Sequence, residues 1–76
     1  MVDENLKRKI ADKLRKSRKQ LKLTQSELSK KSGVSRSYIA DVEKARYMPS
    51  ITTLTKLAKC LNVDLNFITK NDGNTI

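Results

Sequence analysis

The sequence predicts an all-α domain built from five helices, and three observations support this fold class. Apolar residues recur at intervals of three and four along most of the chain, which is the spacing of one helix face. Thr24, Ser35 and Ser50 stand where helix N-caps are expected. The sequence has no β-hairpin signal, internal repeat or low-complexity segment. Its 76 residues suffice for one compact domain with a modest core.

The first helix is predicted to begin at Leu6, after a polar and flexible N-terminus at residues 1–5. Residues 70–76 are also polar and are expected to form a flexible tail, so the folded domain is predicted to span residues 6–69. The apolar positions of the first helix form a stripe that Ser17 interrupts. These positions are Leu6, Ile10, Leu14 and Leu21.

The second and third helices are predicted to form a helix-turn-helix unit. Thr24 and Glu27 form a capping box, in which each side chain accepts a hydrogen bond from the other residue's backbone amide. The helix that they open is expected to end before Gly33, since glycine tolerates the left-handed backbone of a helix stop. Ser35 then caps a third helix that runs to about Lys44. Two helices joined by a short turn that contains glycine are typical of this unit.

A break separates the third helix from the fourth, because Pro49 biases the residue before it away from helical geometry. Ser50 is expected to cap the fourth helix, Asn62 to end it, and Asp64 to cap a short fifth helix. The apolar positions of these two helices again share one face. They are Leu54, Leu57, Ala58, Leu61, Leu65 and Ile68.

Charge is distributed unevenly along the chain. The sequence has 17 Lys and Arg residues against 8 Asp and Glu residues, a formal net charge of +9. Residues 1–23 carry 9 basic and 3 acidic side chains, whereas residues 49–76 carry 3 and 2. A one-sided positive field of this kind favours a polyanionic partner over a merely solubilising role for the lysines.

Several function classes are excluded by what the sequence lacks. Cys60 is the only cysteine, so no intramolecular disulfide forms, and a reducing cytoplasm is expected; a packing role for this thiol is favoured over a reactive one. Histidine is absent, and no metal-ligand cluster or glycine-rich phosphate loop appears, so we expect no enzyme activity, metal or cofactor. The longest apolar run, at residues 38–40, is far too short for a membrane span or a signal peptide.

The third helix of the chain is the second helix of the helix-turn-helix unit, and in such units the first residues of that helix point at base edges in the major groove of DNA. The start of the third helix is therefore the predicted base-contacting surface. Arg36 is the main candidate, since a guanidinium pairs with guanine O6 and N7 together. A phosphate contact and a solvated surface arginine are the alternatives. Asp41 is expected either to accept a bond from cytosine or to exclude wrong sequences near phosphates. The predicted base-contacting set is Arg36, Ser37, Ala40 and Asp41.

A second set of residues is predicted to contact the phosphate backbone. Gln25 begins the second helix, where amides and the positive dipole end favour an anion. Lys44 and Arg46 follow the third helix, and the Tyr38 hydroxyl is expected to reach a phosphate while its ring packs inward.

Two further interactions are predicted from position in the helices. Arg18 flanks the apolar stripe of the first helix and Glu43 follows Val42, so an Arg18–Glu43 ion pair is expected to fix the unit on its support. Phe67 is the leading candidate for a homodimer surface, bordered by Leu61 or Leu65, and burial in the core is the alternative.

These residues together resemble the Cro/cI-type (Xre-like) helix-turn-helix family of bacterial and phage transcriptional regulators. The resemblance covers about residues 6–69 and implies a lambda-repressor-like domain of five helices that binds an inverted repeat as a dimer. It also implies phosphate contacts for Gln25 and Lys44 and a buried Arg18–Glu43 pair. The base-facing positions that it implies are Arg36, Ser37 and Asp41. Two residues depart from the family pattern. Ser29 replaces alanine and needs a backbone partner, and Ala45 replaces the glycine that ends the recognition helix. The matching pattern is Ile10-x3-Leu14-x3-Arg18, residues 24–45 (TQSELSKKSGVSRSYIADVEKA), and Pro49-Ser50-x3-Leu54-x2-Leu57-Ala58-x2-Leu61-x-Val63-x-Leu65-x2-Ile68.

The favoured functional hypothesis is a transcriptional regulator that binds specific double-stranded DNA, most simply a repressor controlled by its abundance or by a partner protein. A phage or mobile-element repressor, a restriction–modification controller and an antitoxin all remain open subtypes. The alternative from another class is an adaptor that binds proteins with the same helices and does not contact DNA.

Overall fold

The computed structural model describes residues 4–69, which form five helices around one apolar core. The helices are α1 (Glu4–Gln20), α2 (Gln25–Ser32), α3 (Arg36–Glu43), α4 (Ile51–Leu61) and α5 (Asn66–Thr69). The all-α fold class with five helices is confirmed. Residues 1–3 and the predicted tail at residues 70–76 lie outside the described residues.

Helix α1 differs from its prediction at both ends. It begins at Glu4, so Glu4 and Asn5 are helical rather than part of a loose terminus. An acidic residue is favourable in a first helical turn, and Glu4 also pairs with Lys7 at 3.1 Å. At the other end Leu21 is 48% exposed and does not continue the buried stripe. The helix has ended at Gln20, and the left-handed Lys22 (φ 58°) turns the chain away.

The α2–α3 unit has the local structure that its sequence predicted. Thr24 Oγ1 accepts a hydrogen bond from the Glu27 amide at 3.0 Å, and Glu27 Oε1 accepts one from the Thr24 amide at 2.8 Å. Gly33 ends α2 in the left-handed region (φ 78°). Ser29 finds the backbone partner that it needs, since its hydroxyl donates to the Val34 carbonyl at 2.6 Å. This bond ties α2 to the turn that precedes α3.

The chain leaves α3 through a strained residue. The helix ends at Glu43, and Ala45 takes a left-handed conformation (φ 58°), the region where glycine is favoured. Alanine therefore stops the helix at the position where the family pattern has glycine, and the helix does not run on. The cost is a crowded Cβ, on the order of 1–2 kcal/mol.

Helix α4 completes the core. Its apolar face is buried as predicted, Asn62 ends it in the left-handed region (φ 59°), and Asp64 Oδ1 accepts a bond from the Asn66 amide at the start of α5. Helix α3 packs against α1 and α2, and α4 packs against the same two helices. Within residues 4–69, we find no helix with the length and apolarity to cross a membrane. The buried apolar residues are Ile10, Ala11, Leu14, Leu28, Val34, Ile39, Val42, Leu54, Leu57, Ala58 and Leu61.

We expect Ala45→Gly to stabilise the domain by about 1 kcal/mol, because it relieves the left-handed strain at a modest cost in unfolded-state entropy. Urea or thermal unfolding measures this, and the midpoint should rise by about 4–8 °C per kcal/mol. Ala40→Gly, inside α3, is the matched control and should instead lose about 1 kcal/mol. Equal effects of the two substitutions would contradict the strain at Ala45.

Candidate nucleic-acid interface

Helix α3 presents one side to solvent and holds the other in the core. Ile39 and Val42 are buried, whereas Arg36 and Ser37 are exposed at the start of the helix. Ala40 and Asp41, one turn later, are half-buried and continue the side that Arg36 and Ser37 begin. Ser35 caps the helix by accepting a bond from the Tyr38 amide at 3.2 Å. The four predicted base-contacting residues therefore share one accessible side.

The Asp41 carboxylate has partners of its own within the protein. Arg46 Nε lies 3.6 Å from Oδ1, and the Tyr47 hydroxyl lies 3.5 Å from Oδ2. The rings of Tyr38 and Tyr47 pack edge to face, with centroids 5.3 Å apart. Partial burial and then the charge of Asp41 raise the pKa of the Tyr47 hydroxyl. The structure thus adds Tyr47 to this surface, a residue that helical spacing did not mark because it lies in the loop.

Glu43 is the meeting point of three helices. Arg18 donates from Nε to Oε2 at 2.8 Å and from Nη2 to Oε1 at 2.9 Å, while Arg18 Nη1 bonds the Leu23 carbonyl. Gln25 Nε2 donates to the same carboxylate at 3.1 Å. The side chains of Arg18 and Glu43 are 12% and 4% exposed. The hydrogen bond to Glu43, together with its charge, raises the pKa of Arg18 against the opposing effect of burial.

Gln25 lies at the start of α2 with its side chain already engaged. Because its amide nitrogen donates to Glu43, the side chain is held in one direction. The capping box occupies the amides of Thr24 and Glu27, so the backbone N–H groups of Gln25 and Ser26 are the ones at this helix start that suit an anion. The structure thus places the predicted phosphate-contacting end of α2 directly beside the end of α3.

A cleft of about 390 Å³ lies between α1, the start of α2 and the end of α3. Lys44, which directly follows α3, lines it together with Arg8, Arg15 and Lys19 of α1. The three α1 residues were missed in the sequence, although positions 8, 15 and 19 fall on one side of a helix. With Arg18, Asp12 and Glu43 also in the lining, five basic and two acidic side chains give the cleft a net positive charge. Arg46 is exposed and lies outside this lining, beside Asp41.

The predicted dimer residues differ in their exposure. Leu61 is 3% exposed and belongs to the core, so its side chain does not border a surface patch, which corrects its predicted position. Leu65 and Phe67 are half-buried and pack against that core. Lys13 Nζ lies 6.0 Å from the centroid of the Phe67 ring. Three lysines, Lys9, Lys13 and Lys16, line a shallow depression with Phe67 and a single carboxylate, that of Asp12.

The described part of the chain brings together no group of three or more His, Cys, Asp or Glu side chains that could hold a metal ion. Glu43 and Asp41 both bind cationic side chains of the protein instead. The chemistry of this surface is therefore that of hydrogen bonding and positive charge.

Comparison with known proteins places these features in a family. A family model described as helix-turn-helix matches residues 14–68. The chain is similar to the ImmF control region 10 kDa protein of Bacillus phage phi105, with 39% identity over 61 residues that cover 80% of this chain and 68% of that protein. It is also similar to the immunity repressor protein of the same phage, with 41% identity over 59 residues, 78% of this chain and 41% of that protein. An uncharacterized HTH-type transcriptional regulator of Methanothermobacter thermautotrophicus shares 40% identity over 63 residues, which cover 79% and 91% of the two chains.

We expect Arg18→Met to destabilise the domain by about 3 kcal/mol, because it leaves the Glu43 carboxylate buried without its cation. Adding Glu43→Met should recover most of the loss, since the pair itself contributes little net stability. Arg46→Met, which breaks the exposed pair with Asp41, is the control and should cost less than about 1 kcal/mol. Urea unfolding of the wild type and these three variants tests this, and a loss below about 1 kcal/mol for Arg18→Met would contradict it.

Proposed function

We infer the function from the premise that the chain belongs to the helix-turn-helix family of DNA-binding transcriptional regulators. We propose that it is a repressor that binds a specific double-stranded operator as a homodimer on an inverted repeat. One observation carries this proposal. The accessible side of α3 lies next to a cationic cleft, and α3 is held in place by buried contacts to both α1 and α2.

The proposed base-contacting surface is the side of α3 that starts with Arg36. An exposed guanidinium at this position suits the bidentate contact with guanine, worth about 1–3 kcal/mol of discrimination. The Ser37 hydroxyl suits a base or a phosphate, and the Ala40 methyl suits the methyl group of thymine. Asp41 suits cytosine N4, in exchange for its contacts with Arg46 and Tyr47.

The proposed contacts with the DNA phosphates lie on both sides of this base-contacting surface. Gln25 and Lys44 meet at the cleft, and Arg8 and Lys19 extend its positive charge along α1. Arg46 and the Tyr38 hydroxyl would hold the backbone on the other side of α3. Such contacts position the protein on the duplex and make its affinity depend on salt, while the base contacts select the sequence.

The similarity to two phage proteins supports the repressor role. One of them is named an immunity repressor, and the other is named a protein of the ImmF control region. The chain spans only about two fifths of the immunity repressor, so functions of the rest of that protein are not carried over. A phage or mobile-element repressor in the bacterial cytoplasm is therefore the subtype that we favour.

A homodimer is proposed because one recognition helix reads only a few base pairs. Two copies bound about 34–36 Å apart on one face of the DNA would read a useful site. Leu65 and Phe67 are the candidate surface. A two-fold contact brings the same patch of both copies together, so the two sets of Lys9, Lys13 and Lys16, against one Asp12 in each copy, would lie near one another. Salt should therefore strengthen the dimer while it weakens DNA binding.

Selection of bound duplexes from a random pool tests the DNA-binding role. We expect a two-fold symmetric site and a log affinity that falls with log salt at about 0.9 per neutralised phosphate. Arg36→Ala should relax preference at one base pair per half-site, whereas Lys44→Ala should weaken all duplexes alike. If no duplex is enriched, the chain is better explained as a protein-binding adaptor. If enrichment survives Arg36→Ala with an unchanged site, its base-reading role is wrong.

Phe67→Asp should shift the monomer–dimer equilibrium toward the monomer, because it places a carboxylate in the proposed contact. Sedimentation at several protein and salt concentrations measures this. Ile51→Asp is the control, because Ile51 is 78% exposed at the start of α4 and away from this surface. An equal effect of both substitutions, or a wild-type monomer at high concentration in high salt, would reject this interface.

A further inference from the structure

We propose that Arg15 is a positioning residue for the recognition helix and that it sets the ratio of specific to non-specific DNA affinity. This inference rests on the proposed function, because it concerns how α3 is aimed at the bases. Arg15 lies on α1, outside the base-reading side, and its contact with the end of α3 would not be suspected from helical spacing.

Arg15 makes two hydrogen bonds that join α1 to the end of α3. Its Nη1 donates to the backbone carbonyl of Glu43 at 3.1 Å, and its Nη2 donates to Asp12 Oδ1 at 2.7 Å. Asp12 precedes Arg15 by three residues on α1, so this pair holds the guanidinium in a fixed direction. The forked geometry of a guanidinium allows both contacts at once.

The Glu43 carbonyl is a site that requires such a donor. The last carbonyls of a helix lack partners within the helix, and the dipole favours a cation there. Here the amides of Lys44, Ala45 and Arg46 bond the carbonyls of residues 40–42. Arg15 supplies the bond to the next carbonyl along the chain, which belongs to the last residue of α3.

Helix α1 consequently holds Glu43 at two points. Arg15 binds its backbone, and Arg18, three residues later, binds its carboxylate. The core contacts of Ile39 and Val42 hold the body of α3, and the bond from Arg15 adds a constraint on the direction of its last turn. The segment that carries Lys44 and Arg46 follows immediately, so its path depends on the same two bonds.

The consequence for binding follows from how the two kinds of DNA contact depend on distance. Base-edge hydrogen bonds need donor–acceptor distances of about 2.7–3.2 Å and good alignment. Coulombic attraction to phosphates falls only as the inverse of distance, so it tolerates a displaced helix. A loosened α3 should thus lose affinity for the operator and keep most of its affinity for other DNA.

The experiment compares Arg15→Gln with Lys19→Gln, a cation one turn later in the same cleft that should contact phosphate. Affinities for the selected duplex and for a scrambled one are measured across a range of salt. Arg15→Gln should lower the ratio of the two affinities about tenfold. Lys19→Gln should lower both affinities alike and reduce the salt slope by about 0.9. Lys56→Gln, exposed on α4, removes the same charge and should leave the ratio and the slope unchanged.

Two further tests distinguish a positioning role of Arg15 from the loss of its charge and from unfolding of the domain. Arg15→Lys keeps the charge but not the fork, so it should keep the salt slope and still lower the ratio. Hydrogen exchange of the amides at positions 44–46 in the free protein should accelerate in Arg15→Gln and not in Lys19→Gln. Unfolding curves confirm that each variant is folded at the temperature of measurement.

Two results would overturn the inference. If Arg15→Gln reduced the salt slope as Lys19→Gln does and preserved the ratio of specific to non-specific affinity, Arg15 would be a phosphate contact. An unchanged ratio despite lower stability would make its role purely structural. If the wild-type protein prefers no duplex, the proposed function fails first. The exchange measurement then still decides whether Arg15 holds the end of α3.

Discussion

The buried carboxylate of Glu43 is the interaction on which the arrangement of the other parts depends. It receives hydrogen bonds from Arg18 on α1 and from Gln25 at the start of α2, while it is itself the last residue of α3. The two ends that face the cleft are thereby fixed relative to each other. An ion pair in this position mainly defines geometry, since desolvation offsets much of its attraction.

Stability comes from the apolar core beneath that network. Leu14, Leu28, Ile39 and Leu57 each come from a different helix and are almost completely buried. Ile39 and Val42 hold α3 against the core, and the hydrogen bonds of Glu43 connect its end to α1 and α2. This division leaves the outer side of α3 without a structural task, so its residues are open to selection for binding.

Signals within a few residues of one another were the ones that the sequence predicted well. The capping box at Thr24, the stop at Gly33 and the end of α4 at Asn62 depend only on local backbone chemistry, and all three are confirmed. The exposure of Leu21 depends on where neighbouring helices pass, and the one-dimensional pattern misjudged it. Leu61 is buried, as its place in the α4 stripe predicted, which removes it from the dimer surface. The hydrogen bond from Arg15 reaches a backbone carbonyl 28 residues further along the chain. A pattern of side chains gives no information about a backbone acceptor, so the sequence did not predict this bond. The roles of Arg36 and Gln25 toward DNA stay predictions from residue chemistry and position.

The guanidinium at the centre of this network also bears on how the domain responds to acidity. Hydrogen bonding to Glu43 raises the pKa of Arg18 above a value that is already far from neutral, and the sequence contains no histidine. Since histidine is the side chain whose ordinary pKa falls in the physiological range, modest shifts in cellular pH should leave the shape of the recognition surface unchanged. A change in pH should therefore not switch DNA binding on or off, whereas a change in ionic strength should alter it.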